Sequence, residues 1–232
     1  NNPNISIHIE NLNPDNIYPL EGSTTLKPIV TLMEMESFSF QQKAGEETIA
    51  LISFLAGYLE YEKGNYDKSI ARFDSALEKI ASQPTLLENH AEIYYFKAEA
   101  LHSKLEYQAS IDNYSKAIQI STKIEKYYAK RCLSYYSLDL YDQAILDCTV
   151  ALELIPTGNA AIANYNNRGN SYAKKGEYQL AFDDYSKAIE LNPTLFLSYH
   201  HRGSVSASLN NYEQAISDFS ISIQLYPDFD IA

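Results

Sequence analysis

Tryptophan is absent from these 232 residues, and chain breakers are scarce, with 8 glycines and 8 prolines. So few breakers suit long runs of helix and exclude a collagen-like or low-complexity chain. Cysteine is represented only by Cys132 and Cys148, too few for a disulfide framework. Both fall at inward positions of helical patterns, which reads as buried small hydrophobes. Basic residues are also in deficit, 18 against 30 acidic ones, and a net charge of −12 repels phosphate backbones. That argues against a nucleic-acid partner, because the phosphate term dominates such binding. No apolar run approaches the roughly 18 residues of a membrane span. The N-terminal stretch lacks the basic-then-apolar pattern of a signal peptide, so a cytoplasmic setting is expected.

Tyrosine, by contrast, occurs 20 times. Five of these follow a turn-like pair and precede a helical pattern: Tyr66, Tyr107, Tyr141, Tyr178 and Tyr212, spaced 41, 34, 37 and 34 residues apart. Aligned on them, the chain repeats itself. Three residues later comes a small residue, Ser69, Ser110, Ala144, Ala181 and Ala215; seven later comes Phe73, Tyr114, Cys148, Tyr185 and Phe219. Nine residues earlier lies another small one, Gly57, Ala98, Cys132, Gly169 and Gly203, and thirteen earlier an aromatic in four of the five copies. Apolar residues at three- and four-residue spacing on both sides of each tyrosine predict a helical hairpin. Small residues on both helices let the axes approach. The turn falls two residues before each tyrosine, where Gly64, Asp139, Gly176 and Asn210 tolerate a left-handed backbone and Leu105 does not. Pro156, Pro193 and Pro227 stop the second helix of their copies.

The run from Asn164-Tyr165-Asn166-Asn167-Arg168-Gly169 through Lys175-Gly176-Glu177-Tyr178 to Ala188-Ile189-Glu190-Leu191-Asn192-Pro193 closely resembles the tetratricopeptide repeat (TPR) family. The resemblance implies an all-α chain, a right-handed superhelical α-solenoid of about five helix-turn-helix repeats. Copies fall near 50–83, 91–124, 125–158, 162–195 and 196–229, within a repeat domain of 46–232, and a truncated sixth copy would start at 230. Extra residues near Gln83-Pro84-Thr85 and Thr157-Gly158-Asn159 lengthen two connections. Residues 1–45 form a non-repeat segment, irregular apart from a short strand signal at Ile5-Ser6-Ile7-His8-Ile9-Glu10. Ile216, Phe219 and Ile223 of the last helix have no successor to cover them, which predicts a longer chain or an oligomer contact there.

Arg131, Arg168 and Arg202 precede the small residue of their first helices, and Asp147, Asp184 and Asp218 follow sixteen residues later. Their joint presence predicts charge pairs that stitch hairpins, either within a copy or to the neighbour.

No phosphate-binding glycine loop, nucleophile elbow or Cys-x-x-Cys is present. His200 and His201 are adjacent and diverge by about 100 degrees on a helix, so they cannot share a metal ion. No enzymatic activity, cofactor or metal is expected. The resemblance implies instead a concave groove lined by the first helices. Its residues would be Tyr58, Tyr61 and Tyr95 at an aromatic end and Lys126, Asn166, Asn170 and His200 at a polar end, with Lys130 and Lys174 beside them. The aromatic residues equally fit packing between hairpins, and the asparagines an ordinary solvated face. Some family members bind the C-terminal carboxylate of chaperones. Asn170 matches that set, but Asn166 stands where a lysine is wanted and His201 where an asparagine is wanted. The expected function is a non-catalytic protein-interaction scaffold, the alternative a regulatory or sensor segment of a larger signalling protein. Because the polar stretch has cations and amides but no carboxylate, the expected partner is an acidic or carboxylate-bearing peptide, with neither nucleic acid nor membrane.

Overall fold

The computed structural model describes residues 45–81 and 90–227. The strand signal at residues 5–10, the connection at 83–85 and the start of a sixth copy lie outside them. The described residues form ten α-helices and no strand: α1 Glu46–Glu62, α2 Tyr66–Ala81, α3 Ala91–Ser103, α4 Tyr107–Ile120, α5 Glu125–Ser137, α6 Tyr141–Leu154, α7 Gly158–Lys174, α8 Tyr178–Leu191, α9 Phe196–Ser208 and α10 Tyr212–Leu225. Each of the five aligned tyrosines opens a second helix, and each proline follows one within two residues. The extra residues near Thr157-Gly158-Asn159 lengthen α7 to 17 residues, against 13 in α5 and α9.

The five turns are alike. Gly64, Leu105, Asp139, Gly176 and Asn210 all have positive φ, from 59° to 75° and 79°. At each, two backbone N–H groups reach back to the end of the first helix, as Gly176 does to Ala173 and Glu177 to Tyr172. This satisfies carbonyls that a helix end leaves open. Leu105 adopts the left-handed conformation although its Cβ disfavours it, and its side chain is exposed.

The chain divides into two compact units, residues 1–100 and 101–232. In the first, α1 packs on α2, and a Cβ added at Gly57 would lie 2.7 Å from the Phe73 ring. In the second, each helix from α4 to α10 packs on the next, and the first helix α7 also touches the first helices α5 and α9. Gly169 faces Tyr185 and Gly203 faces Phe219 in the same way, at 2.8 and 3.0 Å from the added Cβ. The small-against-ring pattern in the sequence is therefore the closest approach of the hairpin. Burying the Phe73 and Tyr185 rings stabilises their hairpins by about 2–3 kcal/mol each, and the half-buried Phe219 contributes less.

The third copy departs from this pattern. Cys132 and Cys148 occupy the small and ring positions, and the structure joins them in a disulfide with Cα atoms 5.6 Å apart. They are buried, as the sequence implies, but as a covalent bond between α5 and α6 rather than as two free thiols. The reason is their register: sixteen residues apart around a hairpin turn places them opposite each other.

The charge pairs form within copies. Arg131 donates to Asp147 at 2.6 and 2.8 Å, Arg168 to Asp184 at 2.8 and 2.7 Å, and Arg202 to Asp218 at 2.9 and 2.7 Å. The neighbouring copy is reached by the remaining nitrogen, Nη1, which donates to Ser115, Thr149 and Ser186 respectively. Aromatic rings flank each guanidinium at 5.4–6.0 Å, namely Tyr128 and Tyr135, Tyr165 and Tyr172, and Tyr199 and Phe182. At α10, Phe219 packs against Gly203, while Ile216 and Ile223 are exposed.

Candidate functional site

The sequence-derived groove residues have different fates. In the first unit, Phe96 collects the aromatic ones: Tyr58 meets it edge-on at 4.9 Å, Tyr61 at 6.1 Å and Tyr95 at 5.1 Å. Tyr95 is buried, and Tyr58 and Tyr61 are half-buried. Burial pushes the Tyr61 hydroxyl up to about 12, with Glu99 nearby adding to the shift. In the second unit, Lys126 and Lys130 lie half-buried on α5, with the Lys126 ammonium 5.8 Å from the Tyr127 ring centroid. Asn166 is engaged at both ends of its amide, donating to the Ile162 carbonyl at 3.0 Å and accepting from Ser198 at 2.9 Å. It ties α7 to α9. His200 rests 5.5 Å from the Phe219 ring.

Asn170 and Lys174 come together in a cavity of about 280 Å³ in the second unit. They are one turn apart on α7, so they share a face. Ala173 of α7, His201, Ser204 and Val205 of α9, Tyr136 of α5 and Tyr185 of α8 complete the lining. Rings, Ala173 and Val205 make its apolar part, and Asn170, Lys174, His201 and Ser204 its polar part. No carboxylate lines it. The nearby Asp184 is turned to Arg168, and burial pushes its carboxyl up while the guanidinium pulls it back.

Polar groups of the lining are held in place. The Tyr185 hydroxyl, on a ring 2% exposed, donates to Asn170 Oδ1 at 2.7 Å. Ser204 donates to the His200 carbonyl at 3.0 Å. His201, not His200, reaches the cavity, its ring 5.4 Å from Tyr185. Its Nδ1 is buried with no hydrogen-bond partner, and burial, helped by His200, pushes the imidazole below its ordinary value. Sequence periodicity chose His200 because it lies on the mid-groove face. Residues of α7 and α9 line the cavity, and of the two histidines His201 is the one in its wall.

Among the described residues, no group of three or more His, Cys, Asp or Glu is placed to hold a metal ion, and no helix is long and apolar enough to cross a membrane.

Three stretches match tetratricopeptide repeat family profiles, residues 54–123, 164–195 and 197–229, together more than half of the chain. The chain belongs to the tetratricopeptide repeat family. Among curated TPR relatives, it is 30% identical over 110 residues to small glutamine-rich tetratricopeptide repeat-containing protein 2 of Mycosarcoma maydis, covering 46% of this chain and 30% of that protein. It is 31% identical over 99 residues to serine/threonine-protein phosphatase 5 of Homo sapiens, covering 43% and 18% respectively. The chain thus spans less than a third of the length of these relatives. Among solved TPR structures, MamA superposes with a TM-score of 0.69 at 18% identity over 79% of this chain and 97% of that one. YrrB, a TPR protein with an unusual peptide-binding site, superposes with a TM-score of 0.69 at 19% identity over 84% and 94%. These likenesses show the fold.

Proposed function

We propose that this chain is a non-catalytic interaction scaffold that holds a segment of a partner protein against the first helices of its second unit. One observation carries the reading: a cavity on a first-helix face whose polar side presents Asn170 and Lys174 with no carboxylate, in a chain of net charge −12. An apolar side chain enters among Tyr136, Ala173 and Val205, while an acceptor-bearing group meets Asn170 and Lys174. That combination selects an acidic or carboxylate-bearing peptide. Such a peptide must be ordered on binding, so affinity in the micromolar range is expected, about −8 kcal/mol. The aromatic residues around Phe96 serve packing in this reading, and Asn166 serves the contact between hairpins. The relatives are consistent with a protein partner: YrrB has a peptide-binding site, and Hsc70-interacting protein 1 of Drosophila melanogaster is 30% identical over 41% of this chain.

A photo-crosslinking side chain at Ser204, beside the cavity, should capture the partner, and the same group at Leu146, exposed on α6, should not. Capture at Leu146 alone would refute the groove reading. A second reading is that the repeats regulate a larger multidomain protein. Binding of the repeats to another segment of their own full-length protein would favour it.

A further inference from the structure

Three copies use the same packing device, a glycine of the first helix against a ring of the second: Gly57 with Phe73, Gly169 with Tyr185, and Gly203 with Phe219. Two of the three rings are phenylalanine, so the contact needs no hydroxyl. The residue that follows the glycine is Tyr58, Asn170 or Ser204. Among these three glycine copies the hydroxylated ring occurs where the next residue is an amide; the second copy also carries a tyrosine, Tyr114, there opposite Ala98 and followed by Glu99 rather than an amide. In the fourth copy the Tyr185 hydroxyl lies 2.7 Å from Asn170 Oδ1.

We propose that Tyr185 is a positioning residue: its hydroxyl fixes the Asn170 amide so that Nδ2–H faces the cavity, making the site select a hydrogen-bond acceptor, a carbonyl or carboxylate oxygen. The direction of the bond follows from burial. A buried hydroxyl left without an acceptor costs about 1–3 kcal/mol, and Asn170 Oδ1 is the acceptor the structure gives it. Burial also pushes the Tyr185 hydroxyl far above its ordinary value, so it keeps its proton and remains a donor. With Oδ1 turned to Tyr185 and one of its two lone pairs taken, Asn170 turns its Nδ2–H groups to the cavity. Lys174, one turn along, is likewise a pure donor. A donor-bearing ligand, an amine or amidinium, meets on these two side chains only the Asn170 oxygen, which Tyr185 already engages.

The acceptor preference rests on the groove reading above; the positioning does not. Tyr185→Phe is the decisive variant, and the phenylalanines at the same place in the first and fifth copies indicate that it folds. In nitrogen-15 spectra of the ligand-free protein, the Asn170 side-chain NH₂ pair should be sharp and show contacts to the Tyr185 ring. In Tyr185→Phe it should broaden or shift, while the Asn166 pair, held by Ile162 and Ser198, stays unchanged. An unaltered Asn170 pair overturns the positioning role.

Hexapeptide libraries with a free carboxylate end, a carboxamide end, and lysine in place of acidic residues then test the preference. The best binder should lose about fivefold in affinity on Tyr185→Phe, which is about 1 kcal/mol. It should lose nothing further when the change is made in an Asn170→Ala background. An equal loss in both backgrounds would show a structural role only. Retained binding by carboxamide peptides assigns the acceptor to a main-chain carbonyl, and loss assigns it to the terminal carboxylate. A winning lysine library overturns acceptor selection. If no library binds, the groove reading and the acceptor preference fall together, and the spectra still decide the positioning.

Discussion

Arg168 and Thr149 meet at 3.0 Å across the seam between the third and fourth hairpins. The same guanidinium gives its other two donating groups to Asp184, inside its own hairpin. Breaking the two contacts should differ in consequence. Arg168→Ala leaves a buried carboxylate without its counter-ion and should lower stability by about 3–5 kcal/mol in chemical denaturation. Thr149→Val removes this bond together with the hydroxyl's own bond to the Ile145 carbonyl and should lower it by about 1–2 kcal/mol. Equal losses would show that the within-hairpin pair is not the dominant contact.

Gly169 and Asn170 are neighbours with different tasks. Gly169→Leu drives a side chain into the Tyr185 ring and should destabilise by about 1–3 kcal/mol. Asn170→Ala deprives the Tyr185 hydroxyl of its acceptor and should remove about 1 kcal/mol. A Gly169→Leu protein as stable as the parent would contradict the close approach of α7 and α8.

Leu105 is the one apolar side chain among the five left-handed turn residues. Leu105→Gly should stabilise the chain by about 0.5–1 kcal/mol, since the backbone relief exceeds the added freedom of the unfolded chain. Its side chain is 70% exposed, so little packing is lost. A fall in the denaturation midpoint would count against this.

The disulfide should matter to the third hairpin. Closing a loop with a sequence separation of 16 stabilises by about 3 kcal/mol. Reduction should therefore increase hydrogen exchange in α5 and α6 first. Cys132→Gly with Cys148→Tyr, the pair used by the fourth copy, should restore protection better than Cys132→Ser. If it restores none, the two devices are not equivalent.

His201 makes stability depend on pH. Its folded value is depressed, so the unfolded chain binds more protons once pH falls below about 6.5. The stability present above that point is lost as pH falls through the folded value. His201→Gln should flatten this part of the profile, and an unchanged slope would assign the titration elsewhere.

The hairpins were legible in the sequence because five tyrosines set one phase, and everything at a fixed offset then fell on one side of a helix. The offset of sixteen that predicts Arg131 opposite Asp147 also places Cys132 opposite Cys148, so the disulfide had a signal in the same register. Counting cysteines obscured it. Asn166 and Asn170 look alike by periodicity, and only coordinates reveal that Ser198 and Ile162 consume the first while Tyr185 orients the second. Periodicity assigns a residue to a face, but it does not say which hydrogen bonds that face has already made.

The placement of the arginines has a mechanical consequence. Each keeps its two-pronged ionic contact within one hairpin and extends a single bond, to an uncharged hydroxyl, to the previous one. Under tension applied along the second unit, the seams should yield before the hairpins do. Extension would then proceed in discrete steps, with each helix pair peeling away intact; Arg131 and Arg168 would keep both rings that flank them, while Arg202 would give up Phe182 of the previous hairpin. The third pair, riveted by its disulfide, would lengthen least of all.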